Sequence, residues 1–398
     1  MEGKLLHIVG GGSNQVPLVI AAKKLGLKIL VTDMYENSSC RQYADFYEQI
    51  DTTDKGNTLV VAQKYKIDAI ITDQTDVAVP TVAFVAENMC LEGIGYETAL
   101  KFTNKYLMRE SLKKIAPEFI PNFEFFNEPK EAIEYCKSLQ NIIEHYIIKP
   151  INSQGSKGVY LLNENEYEQQ INSAFKESKN RGILIEKYIY GFEYSVESYV
   201  QDGVFYNLAL TKKYHYVNND CIDERNTYLG DVSSELESML FTVNQQVVEK
   251  LGLPFGITHA EYKVQDGRPY LIEIAARGGG GSISSKIIPY LTDFEPAIAL
   301  IHRVFKKEYS ISFSDYKKRF VAMKFFNFKP GKVKSIYYDQ ALVKDLLVFN
   351  LDIKPGDIIK EVLDSRDRPG YFVVAGKDRL KVLDIEQEVE SSIQIEYE

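Results

Sequence analysis

Hydrophobic spacing changes character twice along the chain. Near the start, "LLHIVGGGSNQVPLVIAAKKLGLKILVTD" has apolar runs at 5–9 and 27–31, with "LVIAAKKLG" between them at helical spacing. That pattern predicts strand, glycine turn, helix, strand. A second unit follows, with "TLVVAQKYK" as helix, "IDAIITD" as strand and "VAVPTVAFVAENM" as helix. Repeated strand–helix units imply a parallel sheet with helices on its faces, so residues 1–98 are expected to form a small doubly wound α/β domain. After Lys101 the pattern turns to an amphipathic helix, "FTNKYLMRESLKKIA", and then to strands broken by Gly and Asn. "HYIIKP", "GVYLLN", "GILIEKYI", "EYSVESYVQDGVFYNLAL" and "THAEYKVQDGRPYLIEIA" read as antiparallel strands and hairpins. An α+β region is therefore expected over 99–305. From 306 to 398, "RFVAMKFFNFKPGKVKSIY" and "GYFVVAGKDR" predict strands with turn signals and little helix. No low-complexity tract, Pro- or Ser-rich linker or short repeat intervenes, so the three domains should pack together.

Composition narrows the partner. At 398 residues the chain exceeds one ordinary core. Its net charge of −9 argues against nucleic acid and anionic lipid, which leaves a small-molecule partner. Cys40, Cys90, Cys136 and Cys221 lie far apart with no zinc-like spacing, as expected of free thiols in a reducing cytosol. The opening "MEGKLLHIVGGG" lacks a basic start and long apolar core, and no run approaches the ~18 apolar residues of a membrane span. A cytoplasmic protein is expected.

"PYLIEIAARGGGGS", residues 269–282, places an acid in an apolar strand and follows it with an arginine and four glycines. Asp266-Gly267 signals a hairpin turn upstream. A two-residue turn sets Glu261 opposite Ile272; a three-residue loop, 266–268, sets it opposite Glu273. The second register puts two carboxylates on one face, where they repel unless a cation lies between them. Hard divalent ions suit such a pair, and magnesium uses one or two carboxylates with phosphates and water. Glu273, Ala275 and Arg277 share a strand face, and the glycines that follow let backbone approach a ligand. The competing reading is two surface acids on a solvated hairpin.

Two further stretches matter. In "YIIKPINSQGSKGVYLL", Lys149 ends a strand and precedes a glycine-containing loop whose N–H groups can cradle phosphate, although the P-loop order is absent. In "GILIEKYIYGFEYSVESYV", apolar runs flank Glu186, Lys187, Gly191 and Glu193, and a kink at Gly191 can turn Glu193 toward a cleft.

In the order lysine, loop, acids, paired carboxylates, arginine, these stretches resemble the ATP-grasp superfamily, and closely its carboxylate–amine ligase branch of the L-amino-acid ligase type. The resemblance spans nearly the whole chain. It implies a three-part architecture: a doubly wound N-terminal domain (1–98), an ATP-grasp domain (99–305) with a flexible lid at about 115–185, and a mainly β C-terminal domain (306–398). It assigns Lys105 and Lys149 to ATP phosphates and the loop Ser153, Gln154, Gly155, Ser156, Lys157 and Gly158 to the lid over them. Glu186, Lys187, Tyr188 and Ile189 would meet adenine, and Glu193 the ribose. Glu261 and Glu273 match the ligands of magnesium, or of manganese in its place. Arg277 matches the arginine that steadies the acyl-phosphate, and with Lys149 makes up the catalytic pair. Many relatives carry Asn two residues after the second acid, where this chain has Ala275, which puts two-metal coordination in doubt. The implied activity joins a carboxylate to an amine, both small molecules, with release of ADP and phosphate. The resemblance also points to a homodimer. Two rival readings share the fold: a carboxylase using bicarbonate, with which "EIAAR" is compatible, and a nucleotide-binding module without catalysis, hinted at only by Ala275.

Other signals are weaker. "VGGGSNQVP" has Gly10 and Gly12 but Gln15 where a dinucleotide fingerprint needs its last glycine, with Asp33 at ribose-ligand distance; a helix-start turn is the expected role. His259 is expected to pack in the core. Lys212, Tyr214, His215 and Tyr216 in "TKKYHYVNN" stand equally for an acceptor pocket and a surface strand. Asp73 and Asp76 are expected to cap the helix that follows.

Overall fold

The structure, a computed structural model, describes residues 1–217 and 219–398, and residues 140 and 141 by their backbone alone. Asn218 of "TKKYHYVNN" thus lies outside the described residues.

The N-terminal part follows the expected alternation: β1 (Leu5–Val9), α1 (Val16–Lys24), β2 (Lys28–Asp33), β3 (Phe46–Gln49), α2 (Lys55–Tyr65), β4 (Ala69–Ile71) and α3 (Val79–Asn88). All pairings are parallel, in the order β3-β2-β1-β4. Leu6, Ile8, Ile29 and Val31 are fully buried because helices cover both faces. Sequence periodicity did not single out β3, whose "FYEQ" is only partly buried at the sheet edge.

After α4 (Tyr96–Lys101) and α5 (Lys105–Ile115), a four-stranded antiparallel sheet forms from β5 (Phe123–Phe126), β6 (Tyr146–Pro150), β7 (Tyr160–Leu161) and β8 (Ile183–Lys187), in the order β5-β8-β6-β7. Its inner face packs on α6 (Pro129–Leu139) and α7 (Tyr167–Glu177) through Ala132, Cys136, Ile148, Ile171, Phe175 and Ile185. Next come β9 (Phe192–Gln201), β10 (Val204–Tyr216), β11 (Asn219–Tyr228), α8 (Ser234–Leu251), β12 (Gly256–Gln265) and β13 (Arg268–Ala275). Short α9 (Ile288–Thr292) and α10 (Pro296–Val304) lead to β14 (Phe320–Phe325), β15 (Gly331–Tyr337), α11 (Gln340–Lys344), β16 (Val348–Leu351), β17 (Ile358–Ile359), β18 (Gly370–Gly376), α12 (Arg379–Ser392) and β19 (Gln394–Tyr397).

One antiparallel sheet of eight strands, β13-β12-β9-β10-β11-β14-β18-β16, draws strands from both sides of residue 305, and β15, β17 and β19 form a separate sheet in the order β17-β15-β19. Alternation divides the β9–β13 half of the eight-stranded sheet. Tyr194, Val196, Ala260, Tyr262, Leu271 and Ile274 point to one side and pack under α5 and α8. The intervening Glu193, Ser195, Lys213, His259, Glu261, Lys263 and Glu273 line a cavity on the other.

The C-terminal segment departs from expectation in carrying the 14-residue helix α12. Asp378 caps it, accepting from the N–H groups of Leu380 and Lys381, and Val382, Glu386 and Val389 are buried at helical spacing. That cap and period are present in "KDRLKVLDIEQEVESS"; the many charged residues mask them.

Candidate active site

The paired acids come from one hairpin. Asp266 and Gly267 have φ of 53° and 74°, a two-residue turn with both centres left-handed, and Gln265 pairs with Arg268. Continued unchanged, that register would set Glu261 against Ile272. A bulge intervenes: Tyr262 pairs with Leu271, but Glu261 pairs with Glu273. The expected pairing holds, whereas the expected three-residue loop does not; the extra residue sits inside the strand. The bulge also puts Leu271 and Ile274, three residues apart, in one core cluster, which strict alternation forbids. Ile272's carbonyl accepts from Arg109 Nη2 at 2.9 Å.

The cavity they face has a volume of about 540 Å³ and reaches from the N-terminal domain to the loop at 365–368. Every residue singled out above for phosphate, nucleoside and metal lines it except Gly158. Gly158 turns the other way: a Cβ there would lie 2.9 Å from Pro150 and 3.0 Å from Glu177. Gly191 has φ of 133°, and a Cβ would sit 2.0 Å from the carbonyl oxygen of Val264, so only glycine lets the chain enter β9 beside β12.

Charges on the cavity floor alternate in sign. Lys105 Nζ lies 2.7 Å from Glu273 and donates to the Ser153 carbonyl at 2.8 Å. Lys213 Nζ lies 2.7 Å from both Glu193 and Glu261, and His215 stands 3.2 Å from Glu193. Burial raises the Glu193 carboxyl, but Lys213 and His215 more than offset this and hold it at about 2. Glu261 is held well below the carboxylate range by Lys213 and His259 against the same desolvation.

Glu186 is engaged within the protein. Its carboxylate is fully buried, bonded to Arg109 Nε at 2.6 Å and to Lys149 Nζ at 2.8 Å. Burial opposes its charge, yet Arg109 and Lys149 bring it down to about 2. The side chain is therefore engaged in holding Lys149 and Arg109 in place. Lys263 donates to the Tyr188 hydroxyl at 2.8 Å.

His259 corrects the expectation. It lies in the cavity, bonded through Nδ1 to Glu197 and with Nε2 3.4 Å from Glu261. Desolvation lowers its basicity, but Glu197 and Glu261 raise it to about 9. On β10, Lys213 and His215 turn toward Glu193. Lys212 instead lies over the rings of Phe192 and Tyr214, and Tyr216 is buried, donating to the Phe326 carbonyl. Lys213 escaped notice because Tyr214 and Tyr216 leave the strand's phase undefined.

Asp73 and Asp76 do not cap the following helix; neither α3 nor the turn before it has a side-chain cap. Asp76 instead holds Arg277 through two bonds of 2.7 and 2.9 Å. Asp73, whose carboxyl is raised by burial, accepts from Gly278 N at 3.0 Å and Ser284 Oγ at 3.2 Å. A Cβ on Gly278 would meet Ser284 Oγ at 2.2 Å, so this close approach requires glycine. Asp33 accepts from Gly11 N at 2.6 Å and Tyr35 N at 2.9 Å; it shapes the β1–α1 turn.

The loop at 153–158 is braced from two sides. Ser156 Oγ donates to the Cys221 carbonyl at 2.7 Å, and Gly155's carbonyl accepts from Ser365 N at 3.3 Å. Glu261 and Glu273 are the residues that fit a divalent ion. They are opposed in register on the cavity face, and among the described residues no group of three or more His, Cys, Asp or Glu forms a protein-only metal cage. Among the described residues no helix is long and apolar enough to cross a membrane.

Comparison with known proteins agrees with this geometry. Residues 142–286 match the ATP-grasp domain, and residues 324–398 match L-amino acid ligase C-terminal domain 2. Dapdiamide A synthase of Enterobacter agglomerans is 26% identical over 294 residues, 70% of this chain and 68% of that one. A formate-dependent phosphoribosylglycinamide formyltransferase of Methanococcus vannielii is 22% identical over 302 residues, 74% of this chain and 75% of that one, while a Prochlorococcus marinus relative of the same name is covered over only 47% of its length. The crystal structure of L-amino acid ligase from Bacillus licheniformis superposes with a TM-score of 0.80 over 100% of both chains at 19% identity. The chain thus carries an ATP-grasp domain followed by an L-amino acid ligase C-terminal domain.

Proposed function

We propose that the protein is an ATP-dependent ligase that activates a small carboxylate as its acyl-phosphate and joins it to an amine, with release of ADP and phosphate. The observation that carries this reading is the bulged register that sets Glu261 against Glu273 in the cavity that also holds Lys105, Lys149 and Arg277.

Lys105 and Lys149 bind the triphosphate, with the 153–157 loop closing over it. Backbone at Tyr188 and Ile189 meets adenine, and Glu193 accepts from the ribose hydroxyls. Glu261 and Glu273 would hold magnesium, or manganese in its place, which supplies charge neutralisation at the phosphates. A substrate carboxylate oxygen then bonds to the γ-phosphorus as the bond to ADP breaks. The amine nitrogen attacks the acyl carbon, phosphate departs with its electron pair, and the amine loses a proton. Arg277, its guanidinium plane fixed by Asp76, stabilises the oxyanion of that adduct. The acid and amine belong to the amino-acid class or to related small metabolites, a reading supported by the likeness to L-amino acid ligase. The reducing cytosol is the compartment consistent with four free cysteines, of which burial pushes Cys40 and Cys136 up to about 12.

Incubation with magnesium, ATP and pools of amino acids should release phosphate only when both a carboxylate and an amine are present. Absence of release with every pool contradicts the reading, and turnover driven by bicarbonate assigns the carboxylase chemistry instead.

A further inference from the structure

The same cavity fixes how many metal ions it can use. Its lining carries nine Lys and Arg and the charged His259 against seven Asp and Glu, and His259 is paired with the buried Glu197 just outside it, which leaves an excess of two positive charges. A triphosphate with four negative charges and one divalent ion leave two negative charges, which that excess offsets. A second divalent ion would leave the filled site with two uncompensated positive charges away from bulk water, an unfavourable balance at low dielectric.

Geometry agrees with the charge count. The acids that would bridge two ions are already approached by ammonium groups. Lys105 Nζ stands 2.7 Å from Glu273, and Lys213 Nζ stands 2.7 Å from Glu261 while holding Glu193 at the same distance. Lys213 reaches Glu261 across β9 because the residue there, paired with Glu261, is the small Ser195. The next side chain on this face of β13 is Ala275, buried and paired with His259, which offers no oxygen. Magnesium demands near-octahedral oxygen donors and dehydrates reluctantly, so a second ion lacks a protein anchor of its own.

We propose that the site binds one divalent cation per nucleotide and not two, with Lys213 and Lys105 supplying as fixed ammonium groups the charge that a second ion would carry. This rests on the nucleotide reading above. Manganese binding to the full chain, counted by electron paramagnetic resonance with a saturating non-hydrolysable imido analogue of ATP, tests it. One bound Mn²⁺ per chain and no spin-coupled pair are expected; two overturn the proposal. Lys213→Met should raise the count to two, and a folded variant that stays at one removes Lys213 from the role. Ala275→Asp, which adds a carboxylate without removing a buried partner, should likewise take a second Mn²⁺, and a count of one there overturns the anchor argument. Calorimetry with the analogue separates the two readings: binding of the analogue with two Mn²⁺ defeats only this inference, whereas no binding of the analogue defeats the nucleotide reading and this one together.

Discussion

Glu186 shows how a single buried acid positions a lysine of the cavity. Its two cationic partners hold its carboxyl at about 2, below its ordinary value of 4.5. The stability this contributes is therefore fully present above the ordinary value and is lost as pH falls toward the lowered one. Glu186→Gln should cost about 3–5 kcal/mol at neutral pH by leaving Arg109 and Lys149 unpaired, and should remove that part of the acid-unfolding slope. Urea unfolding across this pH range measures both; equal stability of the two proteins contradicts the assignment. At Arg277, Asp76→Asn should lower kcat about 10²-fold with nucleotide affinity preserved, because the arginine's orientation and not the ATP site is disturbed. A change confined to nucleotide affinity would refute that role. The acids of the hairpin, Lys149 and Arg277 were legible in sequence because each stands within or directly after an apolar run. Lys213 and Arg109 were not: the first lies among aromatic residues that fit either strand phase, and the second sits one helical turn beyond Lys105 and reads as an ordinary surface cation.

The β12–β13 hairpin is the element on which the site turns. Its turn and its bulge together deliver a pairing that neither gives alone, and the adjacent apolar residues Leu271 and Ile272 are the only sequence trace of the bulge. A run of two apolar residues also fits a fully buried strand, so alternation by itself does not locate the extra residue. Gly191 seats the neighbouring strand. Gly191→Ala drives a methyl into the Val264 carbonyl and should cost about 1–3 kcal/mol. Nucleotide affinity should fall with it, because Glu193 follows two residues later. Unchanged urea midpoint and affinity would show that the close approach is not required. Helix α12 was hidden for a different reason: its three buried positions are spread among charged residues.

Across the whole molecule, the site is assembled from parts that no single segment contains. The N-terminal domain supplies Asp73 and Asp76 to fix Arg277 and the glycine run, the small sheet supplies Lys149 and the loop, and the eight-stranded sheet supplies the acids. The parallel domain and the antiparallel middle were readable from periodicity, since each is local. The contacts that tie Asp76 to Arg277 span 201 residues and leave no local pattern. Binding that draws these parts together should stabilise all of them: an ATP analogue with magnesium at a hundredfold excess over its Kd should add about 2.7 kcal/mol to unfolding. The most direct measurement follows the oxygen atoms. With an acid substrate identified by phosphate release and labelled with ¹⁸O in its carboxylate, one labelled oxygen should appear in the phosphate released during amide formation. Phosphate free of label, or formation of AMP in place of ADP, would contradict activation through an acyl-phosphate.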